Sequence, residues 1–230
     1  MEVSQRFGWQ EAAARCLDFA REHGSARGNA SGTAFEAFDR DGRIRARLVL
    51  PRLLPPIAGR EGPAAYSARI EKGIGRQAIV LLQAGAAALG YWREDDLVRH
   101  KAWKRYVVRG AGRAQPKHLR TKGKSRYGSR LRLQNFRLLL SDVNERLRDW
   151  WSSEGPPEQV FLGVNVRVLA DLFAADPPPP FDARDPSLRR IGRHVHVPDF
   201  AELEAVRRFL ARGRIEVRRK DGPGGTRGAS

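Results

Sequence analysis

A chain of 230 residues with 41% hydrophobic side chains can bury a sizeable core, and its 43 Lys and Arg against 26 Asp and Glu leave a formal charge of +17. A charge that large repels itself unless a polyanion neutralises it. A single cysteine, Cys16, excludes an internal disulfide and a cysteine-based zinc site, no stretch approaches the length of an apolar membrane span, and acidic Glu2 and polar Gln5 do not fit a signal peptide, so the expectation is a soluble, cytoplasmic protein with no membrane partner.

The segment "QEAAARCLDFAREHG" (10–24) predicts a helix in which Ala13, Leu17 and Ala20 share a face with Cys16, stopped by Gly24. "ARLVLPRLLPP" (46–56) starts as a strand and is ended by its prolines. Residues 57–72 have weak periodicity and read as a surface connection. "RQAIVLLQAG" (76–85) is apolar on both faces, which places it as a central strand. Two further strands, 87–92 and 103–109, are joined through the acidic turn Glu94-Asp95-Asp96.

After a long basic stretch, Leu133, Phe136, Leu140, Val143, Leu147 and Trp150 recur at helical spacing. They predict a helix over 130–150 with one apolar stripe, and Ser129 stands where an N-cap would. "EQVFLGVN" reads as a strand, "VRVLADLFA" as a short helix and "DPPPPFDARDP" as a stiff connection. A last helix over 198–212 carries Leu203, Val206 and Leu210; the tail from Lys220 has nothing to bury and is expected to be disordered. The sum is an α/β protein, a mixed β-sheet packed by helices, with residues 1–219 as one domain.

From Leu97 through Ser141 there is no Asp or Glu, yet Lys and Arg occur fourteen times. A phosphate backbone would meet Lys101, Lys104, Arg105, Arg109, Arg113, Lys117, Arg120, Lys122, Lys124, Arg126, Arg130 and Arg132. His118 and Tyr127 are placed to stack on unpaired bases, although a tyrosine there serves equally well to anchor the loop on its helix. Gly110, Gly112, Gly123 and Gly128 allow tight turns. Gln115 is the odd group in this loop. Its neutral amide is no base at pH 7, but it offers donors and an acceptor that can position a water, a ribose hydroxyl or a developing oxyanion beside the arginines. A solvated glutamine is the plainer reading of the same residue. Pro116 biases Gln115 toward extended backbone.

No GxSxG, P-loop, dinucleotide fingerprint or HExxH occurs. His194 and His196 flank Val195 as on a strand with one exposed face rather than as a finished metal site, and Asp95 and Asp96 read as a turn. The expectation is no metal and no cofactor.

The stretch "VLLQAGAAALGYW…DLVRHKAWKRYVVRGAGRAQPKHLRTKGKSRYGSRLRLQN" resembles the release-factor-like domain of the ribosome quality-control tRNA endonucleases, relatives of the central domain of the eukaryotic and archaeal class-one peptide-release factors. A strand of the form HKxxxRYxVR is represented by His100, Lys101, Arg105, Tyr106, Val108 and Arg109. The family's glycine-rich loop holds an essential glutamine, matched by Gln115. A lysine/glycine/serine stretch follows as Lys122-Gly123-Lys124-Ser125 with Gly128-Ser129, and a basic helix resumes at Arg130 or Arg132 with Asn135. "LRRIGRHVHVPDFAELEAVRRFLARGRI" is similar to the family's closing segment, so the likeness spans about 75–217.

The resemblance implies a release-factor central-domain-like fold with a protruding basic glutamine loop, in a compact, monomeric, prokaryotic-type member. The implied partners are the large ribosomal subunit, its ribosomal RNA and peptidyl-tRNA. The implied activity is scission near the tRNA CCA end that releases a stalled nascent chain, with Gln115 orienting the reacting groups and Arg109 and Arg113 or Arg130 countering charge. In the related release factors such a loop promotes ester hydrolysis instead. Ala114 stands where relatives favour glycine or serine, and Pro116 follows, so both outcomes stay open, as does a ribosome- or tRNA-binding factor without chemistry.

Overall fold

A computed structural model describes residues 1–70, 73–105 and 124–218 of the chain, the side chains of 124–129 excepted. The chain runs through β1 (Glu2–Gly8), α1 (Ala12–His23), β2 (Arg27–Gly28), β3 (Ala34–Phe38), β4 (Ile44–Val49) and α2 (Pro63–Ile70). Three strands follow, β5 (Arg76–Gln83), β6 (Ala86–Arg93) and β7 (Asp96–Lys104), then the long helix α3 (Lys124–Glu154), β8 (Gln159–Val164), α4 (Val166–Phe173) and β9 (Leu188–Arg190). α5 (Phe200–Leu210) and β10 (Arg212–Val217) complete the described elements. Where the sequence reads as one domain over 1–219, the chain packs as two compact units: Met1–Ile74 with the segment from Arg208 onward, and Gly75–Arg207.

The first unit is built on an antiparallel sheet of order β1-β10-β4-β3-β2. α1 faces it with Ala12, Cys16 and Phe19, all buried, whereas Leu17 is 46% exposed. The expected face of Ala13, Leu17 and Ala20 is thus corrected by one step around the helix. Positions 12, 16 and 19 share one side at 3.6 residues per turn, and Leu17 lies about 100° beyond Cys16. Burial, reinforced by the charge of Glu61, pushes the Cys16 thiol up to about 12, as befits a packing residue rather than a nucleophile.

Residues 57–72, expected as a surface connection, contain α2 with Tyr66, Ser67 and Ile70 buried. Its periodicity is masked because two polar side chains sit on the inner face, each satisfied: Tyr66 donates to the Pro55 carbonyl at 2.7 Å and Ser67 to the Ala13 carbonyl at 2.9 Å.

The second unit carries a mixed sheet of order β7-β6-β5-β8-β9, antiparallel from β7 to β5 and parallel from β5 to β9. β5 is central, as its two apolar faces require. Ala78, Val80 and Leu82 pack under α3 and α4 with Leu139, Leu140, Val143, Leu147, Trp150 and Leu172. α5 covers the opposite face, where a Cβ added at Gly90 would lie 2.3 Å from the Trp92 ring and 2.9 Å from Leu203. Only glycine fits there. Arg207, buried on that face, lies over Trp92 and donates to the Gln77 side chain at 2.8 Å.

Three expectations change in this unit. The strand placed at 103–109 runs instead over Asp96–Lys104, and the turn before it is Glu94-Asp95, with Glu94 in the left-handed region at φ 53°; residues 106–109 lie outside the described ones. α3 begins at Lys124, which puts Ser129 inside the helix rather than at its cap. Its stripe is core only from Leu140 onward: Leu133 is 51% exposed and Phe136 half-buried.

Sequence patterning also misses a polar seam on α3. Ser141, Asn144 and Arg148 share a face and donate to the carbonyls of Asp176 (2.7 Å), Leu172 and Pro177 (3.0 and 2.8 Å) and Pro178 (2.7 Å), binding the proline run to the helix. Asn144 is fully buried. Replacing it with alanine leaves one buried and one part-buried carbonyl without that donor, and a loss of about 1–3 kcal/mol is expected in urea unfolding with the m-value unchanged.

Candidate nucleic-acid interface

The acid-free stretch opens on β7, an edge strand of the second unit's sheet. Edge strands expose side chains and unpaired backbone alike, and here His100, Lys101 and Lys104 are exposed, with the His100 ring 4.6 Å from that of Phe200. Arg105 is different. Its guanidinium pairs with Asp142 of α3 at 2.5 and 3.0 Å, and its backbone N–H donates to the Gly85 carbonyl at 2.8 Å. The arginine expected to meet phosphate therefore fixes the point from which the basic loop departs, clamping strand end to helix.

The loop lies outside the described residues. That holds for Gln115, for Arg109 and Arg113, for Lys117, His118, Arg120 and Lys122, and for Gly110, Gly112 and Gly123. The side chains of Lys124, Arg126 and Tyr127 are likewise outside, while Gly128 falls within α3.

From Lys124 to Asp142 the helix climbs 18 residues, roughly 27 Å at 1.5 Å per residue. Along it Arg130 and Arg137 are exposed and Arg132 half-buried, and no acidic residue occurs before Asp142. The described ends of the basic stretch are thus an edge strand and a cationic helical arm, joined at the Arg105–Asp142 pair.

A second feature opens at the same edge of the sheet. Lys104 pairs with Ala86 across the ladder, Gln83 pairs with Ala86, Leu82 with Val164, and Leu162 with Arg190. The carboxyl ends of β7, β5, β8 and β9 therefore line up. Between β5, β8 and the segment after β9 lies a crevice of about 470 Å³, walled by Leu82, Leu162, Ile191 and Val195 and rimmed by Arg190, Arg193 and His194, with no acidic lining residue. Carboxyl ends of parallel strands are where α/β sheets commonly receive ligands.

Gln83 holds the crevice's outer segment by donating to the carbonyls of Val195 (2.8 Å) and His196 (2.9 Å). Arg193 pairs with Glu202 at 2.9 Å. His194 and His196 are exposed around buried Val195 as expected, but the segment is not a strand; their rings meet edge to face at 5.1 Å. Among the described residues no group of three or more His, Cys, Asp or Glu is placed to hold a metal. Sequence reasoning missed Gln83, Asn165 and Arg190 as neighbours, because only long-range strand pairing brings them together.

Among the described residues no helix is long and apolar enough to cross a membrane. No curated protein matches the chain. Among solved structures, the "Vms1 mitochondrial localization core" is similar in fold, with a TM-score of 0.50 over 90% of this chain and 84% of that one, at 12% sequence identity. The family model described as the Bacteroidetes VLRF1 release factor, bVLRF1, matches residues 77–218, which takes in β5 to β10 and the whole basic stretch between β7 and α3, and the chain belongs to that release-factor family.

Proposed function

We propose that the protein acts on peptidyl-tRNA at the large ribosomal subunit and frees stalled nascent chains by cutting the tRNA near its CCA end. The observation that carries this reading is the acid-free basic stretch, set between an edge strand and a cationic helical arm in a chain of a release-factor family. The chemistry assigned to it is phosphodiester transfer. A ribose 2′-hydroxyl attacks the adjoining phosphorus, the bond from phosphorus to the 5′-oxygen breaks, and that oxygen takes up a proton. The tRNA keeps a cyclic phosphate, and the peptide leaves with the terminal nucleotides attached. Gln115 orients the hydroxyl and the phosphate, while Arg109 and Arg113 or Arg130 counter charge on the transition state.

Ester hydrolysis by the same loop is the second reading, favoured by the family's description as a release factor. Purified large subunits carrying doubly labelled peptidyl-tRNA separate the two. A shortened tRNA supports scission, full-length tRNA with free peptide supports hydrolysis, and neither product leaves a binding factor without chemistry.

Binding itself should be strongly salt-dependent, because each phosphate neutralised releases counterions. Removing the exposed Lys101 and Lys104 together is expected to reduce the slope of log K against log salt by about 1.5, at roughly 0.7–0.9 per contact. tRNA anisotropy between about 50 and 200 mM salt measures it. An unchanged slope removes β7 from the interface.

A further inference from the structure

The carboxyl edge of the second unit's sheet presents two features side by side, the departure of the basic loop beyond Arg105 and the crevice between β5, β8 and the segment after β9. We propose that this crevice is a nucleotide subsite, receiving one unpaired nucleoside phosphate of the RNA on which the loop acts. The inference rests on the function proposed above and adds to it a second point of contact with the substrate.

The lining chemistry argues for a nucleoside phosphate over other small ligands. Exposed Ala84 and half-buried Val164 and Val168 give the crevice apolar surface against which a planar base loses little by leaving water. Arg190 and His194 are exposed at the rim, where a guanidinium and an imidazole offer both flat faces for stacking and donors for phosphate. Glu202, which is not among the lining residues, pairs with Arg193 at 2.9 Å. A volume of about 470 Å³ suits one nucleotide rather than a duplex.

Position supplies the link to the loop. Strands β7, β6, β5 and β8 are consecutive neighbours, so Lys104 and Val164 lie about three strand spacings apart, roughly 14–15 Å at 4.8 Å each. A single RNA strand touching Lys104 can therefore place a nucleotide a step or two along in the crevice. The same chemistry would admit a free nucleotide, and the test separates the two sources.

Fluorescence anisotropy with labelled adenosine monophosphate and a labelled CCA trinucleotide provides that test. The variants are Ala84→Glu, which sets a carboxylate at the crevice mouth from an exposed turn position, and Arg190→Ala. Both are checked for wild-type thermal unfolding, since neither position belongs to the core. The expected result is mutual competition of the two probes for one site, with each variant weakening both by about tenfold or more.

Inorganic phosphate competing as well as adenosine monophosphate would mean that no base is held, and the nucleotide assignment fails. Adenosine monophosphate binding without the trinucleotide overturns the RNA subsite in favour of a free nucleotide. If neither probe binds, or binding ignores both variants, the crevice is no subsite. Wild-type protein that releases nascent chains while both probes fail keeps the proposed function and overturns this inference alone. Probe binding that obeys the variants, in a protein that neither associates with ribosomes nor releases chains, supports the crevice and overturns its ribosomal substrate.

Discussion

Replacing Gln115 with alanine is expected to slow nascent-chain release by about 10²–10³-fold while leaving ribosome association within about twofold of wild type. The split follows from what a carboxamide does. It carries no charge, so its loss releases no counterions and hardly alters a binding energy dominated by Lys and Arg. Its donors matter when charge develops on the reacting oxygens, where one well-aimed hydrogen bond lowers the barrier far more than it stabilises the ground state. Gln115→Glu separates positioning from simple polarity: it keeps the shape but sets a carboxylate beside a phosphate, and it should be at least as slow as alanine. Single-turnover release from labelled peptidyl-tRNA, beside sedimentation with large subunits, reads both quantities. If the alanine variant releases chains at the wild-type rate, Gln115 is a solvated loop residue and the chemistry must be sought elsewhere. If it loses sedimentation and release together, Gln115 is a binding residue and the catalytic role is withdrawn.

The elements legible in the sequence are those whose signal is local. β5 shows apolar residues at both parities, as a strand covered on two faces must, and α3 shows its period over several turns. The misreadings have local causes too. Val107-Val108 drew the third strand toward the β-branched pair, while the paired strand Asp96–Lys104 is polar because it is an edge. Leu133 fits the period of α3 yet is 51% exposed, and period alone does not say where a neighbour ends. The division into two units was invisible because β1 pairs with β10, Glu2 against Val217, across nearly the whole chain. The crevice was hidden for the same reason: Gln83, Asn165 and Arg190 become neighbours only through the parallel pairing of β5, β8 and β9. The basic stretch was legible without any of this, since charge is read by composition and needs no contact.

Leu140→Asp should unfold much of the second unit, whereas Leu133→Asp, seven residues earlier on the same stripe, should be nearly silent. Leu140 is 3% exposed and packs with Val143, Leu147 and the β5 face. Removing its side chain costs about 2–5 kcal/mol in lost burial and cavity. Aspartate adds a group that must either stay charged without a partner or take up a proton to enter the core. Together these reach roughly 5 kcal/mol or more, a large share of the 5–15 kcal/mol that holds a domain folded. Acid should relieve part of the defect, because the buried carboxyl binds its proton more tightly when folded than when unfolded. The loss is therefore greatest well above the unfolded pKa near 4 and shrinks as pH falls toward it. Leu133 is half-exposed, so its aspartate stays hydrated and a change within about 0.5 kcal/mol is expected. Urea unfolding of both variants at neutral and acidic pH decides the matter. Equal stability of Leu140→Asp and wild type would place α3 off the sheet, and with it the clamp between Arg105 and Asp142 that sets where the basic loop begins.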